Sequence, residues 1–177
     1  STPQTFINNH SSLTLGGIKN SHMANVIIYK TKYGSTKQYA QWLQEEIGGD
    51  ILDDKALKKF NDYNTVIFGS CVYIGNIKIA KYIKKNWEQL KNKNIVLFTV
   101  SGATANSKDI KKWYENSLPK NMRKNIKFFS LNGQTIWTDL SPIHKLMVKI
   151  IKKRTGDFGK INKEELKPII NFIKNGM

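Results

Sequence analysis

Asn25-Val26-Ile27-Ile28-Tyr29-Lys30, followed without a break by Thr31-Lys32-Tyr33-Gly34-Ser35-Thr36, decides the fold. The first six residues are a short apolar run, the pattern of a strand buried on both faces. The next six set three hydroxyls around one glycine. From Ser35 to Ile47, Tyr39, Ala40, Leu43 and Ile47 recur at helical spacing until Gly48-Gly49 ends the run. Strand, small polar loop and helix form the opening unit of a parallel sheet.

The same alternation continues outward from that unit. Asp50 to Asp53 reads as a brief second strand, and a short helical segment around Ala56 to Phe60 leads to a third strand, Thr65 to Gly69. A helix from about Lys78 to Leu90 carries Ile79, Tyr82, Ile83, Trp87 and Leu90 on its inner face. Asn94 to Val100 is the fourth strand. Ser107 caps a helix that runs to Leu118 and stops at Pro119. Ile126 to Leu131 is the fifth strand. Ser141-Pro142 opens a helix reaching about Arg154, and a last helix covers about Lys163 to Lys174. Five strands separated by helices predict an α/β three-layer sandwich. Its expected core is a five-stranded parallel sheet of order 2-1-3-4-5 with right-handed crossovers.

Composition narrows the chemistry. The chain has 177 residues and a formal charge of +16, with one cysteine and three histidines. A lone Cys71 excludes an internal disulfide and a thiolate metal cluster, and so few histidines disfavour a histidine metal site. No run of about 18 apolar residues predicts a membrane span. Ser1 to Met23 is polar, ends in Ser21-His22-Met23 and reads as an expression tag, so residues 24–177 are taken as one domain in the cytoplasm. The positive charge draws anions: a cofactor phosphate, an acidic partner, lipid headgroups or nucleic acid. A solvated lysine surface without function explains it equally well.

Open parallel sheets bind ligands beyond the carboxyl ends of their strands, where the strand order reverses. Three loops meet there. Thr31, Lys32, Tyr33, Gly34, Ser35 and Thr36 offer hydroxyls and first-turn N–H groups to a phosphate. The loop lacks the glycine and lysine pattern of a triphosphate loop and the three glycines of a dinucleotide loop, which favours a monophosphate. A plain helix cap by Ser35 is the competing reading. The second loop, Ser70, Cys71, Val72, Tyr73, Ile74 and Gly75 to Asn76, is placed along the edge of a flat ring, with Tyr73 or Ile74 packed on it. The third, Ser101, Gly102 and Ala103 to Asn106, suits backbone contacts to the other edge. Together these loops predict flavin mononucleotide, FMN, with no catalytic dyad or triad and with Cys71 as a small neighbour of the ring.

Past the fifth strand, Trp137 and His144 are the residues best placed to face a cofactor or substrate. The helix that follows carries Ile143, Leu146, Met147, Ile150 and Ile151 along one stripe, with lysines elsewhere. The stripe is expected to pack on the sheet, while contact with an anionic membrane or an acidic partner remains open.

The Thr31 to Thr36 loop, the Gly69 to Gly75 turn and the five-strand pattern resemble the flavodoxin superfamily. The segment from Asn132-Gly133 through His144 to Lys152 looks closer to one branch, the menaquinone-dependent protoporphyrinogen IX dehydrogenases. The resemblance covers about residues 25 to 174. It implies non-covalent FMN cycling between oxidation states, with a quinone at the inner face of the membrane or an acidic redox protein as partner. That branch carries arginines and tyrosines where this chain has Ile136, Trp137, Thr138, Asp139 and Leu140, so the guanidinium partners for porphyrin propionates are missing. No specific nucleic acid is expected, and a cofactor-free phosphate or nucleic-acid module is the reading from another class.

Overall fold

The computed structural model describes residues 24–56, 59–103, 107–153 and 155–175. Strand β1 (Asn25–Lys30) leads into helix α1 (Ser35–Ile47), and β2 (Asp50–Asp53) follows. Next come β3 (Thr65–Tyr73), β4 (Asn76–Ile77), α2 (Ala80–Lys85) and α3 (Trp87–Leu90). The chain continues through β5 (Asn94–Ser101), α4 (Lys108–Ser117), α5 (Lys120–Arg123) and β6 (Ile126–Asn132). After a 3-10 turn at Trp137–Asp139 comes α6 (Pro142–Lys152), and a second 3-10 turn at Lys163–Leu166 opens into α7 (Lys167–Asn175).

Five strands pair in parallel in the order β2-β1-β3-β5-β6, which is 2-1-3-4-5 among the parallel strands. Alternation along each strand sends side chains to two cores. Val26, Ile28, Val66, Phe68, Ile95 and Leu97 face α2 and its neighbours. Ile27, Ile67, Val96 and Phe98 face Tyr39, Ala40 and Leu43 of α1 and Ile169 of α7. Each fully buried side chain of this size contributes about 1.5–3 kcal/mol, so the strands need no polar face. Gly69 sits in this sheet because an added Cβ would lie 2.5 Å from the ring of Phe98 on the adjacent strand.

Two local differences from the sequence expectation have physical causes. The third strand does not end at Gly69. It runs on to Tyr73 and turns back antiparallel through Ile74-Gly75, pairing Val72 with Ile77 and Tyr73 with Asn76. Ile74 and Gly75 both have positive φ, 49° and 67°, the two-residue hairpin that matches strand twist. The helix expected from Lys78 to Leu90 breaks at Asn86, whose side-chain amide donates to the Tyr82 carbonyl at 2.8 Å and competes with the helical ladder. Of the segment Ala56 to Phe60, residues 57–58 lie outside the described residues, Ala56 lies in a turn and Phe60 is buried in the core. The expected tag and the Thr104 to Asn106 part of the third loop lie outside them as well.

Ser107 caps α4 as expected, accepting from the Ile110 N–H, and Leu118 is extended ahead of Pro119. Ser141 caps α6 by accepting from the His144 N–H, and α6 stops one residue before left-handed Lys153. No helix among the described residues is long and apolar enough to cross a membrane.

Candidate cofactor site

The carboxyl ends of β1, β3, β5 and β6 converge, and two adjoining cavities open there. The smaller is a cleft of about 90 Å³ between Thr31, Ser35 and Thr36 on one side and Ser101, Gly133 and Gln134 on the other. Lys32, Tyr33, Cys71, Val72, Tyr73, Val100, Gly102 and Thr135 complete its wall. The larger, about 540 Å³, reaches outward between Tyr73, Ile74, Gly75, Trp113 and the inner side of α6.

The small cleft is built for an anion. Gly34 stands ahead of α1 with φ 91°, and no side chain caps the helix, so its first-turn N–H groups lack intrahelical acceptors. No acidic residue sits in that turn to oppose a negative ligand. An added Cβ at Gly34 would meet nothing, so glycine serves the left-handed backbone there, not a close approach. Thr31 Oγ1 accepts from the Gly34 N–H at 3.1 Å and keeps its own proton for donation. Ser35 does not cap the helix. Its Oγ exchanges hydrogen bonds with the Gln134 backbone, donating to O at 3.2 Å and accepting from N at 3.4 Å, which ties the loop to the end of β6. This donor set, hydroxyls plus free helix N–H groups and no carboxylate, fits a phosphate monoester.

Cys71 lines the same cleft as a neutral thiol. Burial pushes its pKa up, against the opposing pull of Lys78, Lys32 and Lys30, which argues against a thiolate nucleophile.

A polar cluster bridges the two cavities. Tyr33 Oη and Ser141 Oγ meet His144 Nδ1, the serine at 2.9 Å, while Tyr73 Oη and Lys32 Nζ meet Nε2, the lysine at 3.1 Å. A lysine ammonium can only donate, so Nε2 is the acceptor and the proton of the neutral ring belongs on Nδ1. Burial, then the Lys32 charge, holds His144 below its usual pKa, consistent with that neutral form. Burial also raises the Tyr33 phenol above its usual value. Tyr73 lies between two ammonium groups, Lys32 at 3.7 Å and Lys78 at 4.8 Å from its ring centre.

Most of the residues singled out in the sequence come together. Thr31, Lys32, Tyr33, Ser35, Thr36, Cys71, Val72, Tyr73 and Gly102 line the small cleft; Ile74, Gly75, Ser101 and Ala103 line the larger cavity. Two do not arrive. Ser70 is fully buried on the Phe68 side of β3, where its Oγ accepts from the Ile79 N–H at 3.1 Å and fixes the start of α2. Trp137 lines neither cavity; its backbone N–H donates to Asp157 Oδ1 at 2.6 Å in the 3-10 turn. His144, also expected to face the site, does line the larger cavity, together with Leu140, Met147 and Val148.

Sequence reasoning missed Trp113 and Phe158. Trp113 meets the hairpin so closely that a Cβ on Gly75 would stand 2.9 Å from its Nε1. Phe158 reaches the site because its backbone exchanges two hydrogen bonds with Thr135, at 2.8 and 3.0 Å. A lone aromatic between Gly156 and Gly159, in an otherwise polar stretch, was the signal available for it.

Several solved structures are similar to this chain at low identity. The chain is similar to a flavodoxin from the domain Archaea, 15% identical over 74% of this chain and 98% of that one, with a TM-score of 0.46. It is similar to a flavoprotein from Lactobacillus acidophilus solved in complex with FMN, 14% identical over 62% and 92%, with a TM-score of 0.47. Flavodoxin 2 from Bacillus cereus is 12% identical over 62% and 84%, with a TM-score of 0.40. No curated protein matches the chain. The model of the flavodoxin domain matches residues 26–162, from the middle of β1 to just before the last 3-10 turn, and the chain belongs to that family.

Proposed function

We propose that this protein binds FMN non-covalently and transfers electrons through it. One observation carries the reading: an uncapped helix N-terminus, led by left-handed Gly34 and flanked by the Thr31, Ser35 and Thr36 hydroxyls, opens into a cleft at the strand-order switch. Membership of the flavodoxin domain family supports the same cofactor.

Bound there, FMN supplies one- and two-electron redox chemistry, and the protein supplies position and electrostatics. The Thr31 and Thr36 hydroxyls and the first-turn N–H groups of α1, that of Ser35 included, hold the phosphate. Val72, Tyr73, Ile74 and Gly75 form one wall for the flat ring, and Ser101, Gly102 and Ala103 form the other. His144 and the Tyr33 and Tyr73 hydroxyls hold exchangeable protons beside that space, and Leu140, Met147, Val148 and Phe158 keep its outer side dry.

Titration of apo-protein with FMN, followed by flavin fluorescence and near-ultraviolet dichroism, tests the reading. Binding is expected at micromolar protein. Riboflavin is expected to bind roughly tenfold or more weakly, because hydrogen bonds to a charged group are worth about 1.5–3 kcal/mol. A colourless protein that ignores FMN yet binds nucleic acid in a salt-sensitive way would leave the phosphate or nucleic-acid module instead.

The 540 Å³ cavity favours a second reading, in which a quinone or a protoporphyrinogen-type donor reacts beside the ring. Saturable turnover with a menadione-type quinone or with protoporphyrinogen separates that enzyme from a carrier serving an acidic redox protein in the cytoplasm.

A further inference from the structure

The side of α6 that faces away from the cavity is uncovered. Ile143, Leu146 and Ile150 are 71%, 58% and 66% exposed, and their spacing puts them on one stripe. Ile74, at the tip of the β3–β4 hairpin, is 61% exposed. Ile74 and the inner residues His144, Met147 and Val148 line the same cavity, so the stripe and the hairpin tip flank one mouth. Large apolar side chains scattered singly are ordinary, but a stripe beside a cavity mouth marks a contact surface.

Charge identifies the occupant. Helix α6 carries Lys145, Lys149 and Lys152 and no acidic residue, is followed by exposed Lys153, and belongs to a chain of formal charge +16. A second copy would bring these lysines against each other. The stripe is the convex side of one helix, which suits a fluid, flat surface: such helices sink their apolar side about 5–10 Å into the headgroup boundary with lysines at its margin. We propose that α6 docks this protein on an anionic lipid bilayer, with the Ile74 hairpin and the cavity mouth turned toward the lipid. The contact involves no cofactor group and stands or falls separately from FMN binding.

Flotation of apo-protein with vesicles of phosphatidylcholine alone, or mixed with phosphatidylglycerol, tests this. The wild type is expected to float with the anionic vesicles and not with the neutral ones. The triple variant Ile143→Gln, Leu146→Gln, Ile150→Gln keeps every charge and is expected to lose roughly tenfold or more in partitioning. Lys145→Gln with Lys149→Gln is expected to lose a similar factor on anionic vesicles. Because these side chains are exposed, both variants should melt with the wild type; the single Leu146→Gln variant serves if the triple one does not fold. A wild type that stays off anionic vesicles overturns the proposal and leaves the stripe to an acidic protein. Stripe variants that bind like wild type overturn it in favour of diffuse attraction by the net charge. A concentration-dependent dimer abolished by the stripe variants, without vesicle binding, overturns it in favour of a second copy.

Discussion

Helices α1 and α6 have the same kind of sequence and opposite fates. Both repeat apolar residues at helical spacing, and both start beside the cofactor cleft. In α1, Tyr39, Ala40 and Leu43 are fully buried against the sheet. In α6, Ile143, Leu146 and Ile150 face solvent and Met147 lines the cavity, so these four do not pack on the sheet as expected, while the Ile151 side chain lies outside the described ones. The reason is space. One face of the sheet is occupied by α1 and α7, and the other by α2 and its neighbours, so α6 comes to rest over the carboxyl-end loops. There its inner side lines a cavity, and hydrogen bonds through His144 tie it to Tyr33 and Tyr73. Amphipathic spacing announces a face without saying what covers it.

Parallel substitutions in the two helices give the largest effect. Leu43→Ala should cost about 2–5 kcal/mol in denaturant unfolding, the usual loss for a buried leucine. Leu146→Ala should change stability by no more than about 0.5 kcal/mol, as surface substitutions do. Equal losses would mean that α6 is packed in solution and that the contrast is false.

The next effect sharpens the start of α1. Gly34→Ala meets no obstacle but forces a side chain onto left-handed backbone, a cost of about 1–2 kcal/mol. FMN affinity should fall with it, since the first-turn N–H groups would be misaimed. Unchanged stability together with unchanged affinity would show that the left-handed turn is not required.

The smallest effect concerns how α6 is held. The pKa of His144 lies below its ordinary value of 6.5 in the folded state, so its neutral form is favoured there. The unfolded or released ring takes up a proton first as pH falls. Stability from this contact is therefore complete above about pH 6.5 and is lost as pH drops toward the folded pKa. Amide exchange in α6 should accelerate on acidification while exchange in α1 barely moves, and His144→Phe should abolish the difference. Acceleration of both helices alike would place the titration elsewhere.

Much of the cleft was legible because it is local. Thr31 to Thr36 are consecutive, and a loop between a buried strand and a helix has one place to be in a parallel sheet. Ser70 was expected in the loop because β3 was ended at Gly69. Strand alternation carried past that glycine puts Ser70 on the Phe68 side, toward α2, and Cys71 on the other. Trp113 was out of reach because the Ile74-Gly75 hairpin brings Gly75 against it, and nothing in the local pattern around either residue states their distance.

The parallel strands, their order, the switch point and the hydroxyl-rich loop beside it could be read from the sequence. These follow from apolar periodicity and loop chemistry, which act over a few residues. That Leu140 joins the expected His144 in the wall of the larger cavity while Trp137 does not, and that one helix keeps an uncovered apolar face, depends on tertiary packing. Burial of a side chain depends on what distant segments leave free, and both faces of this sheet are covered by other helices.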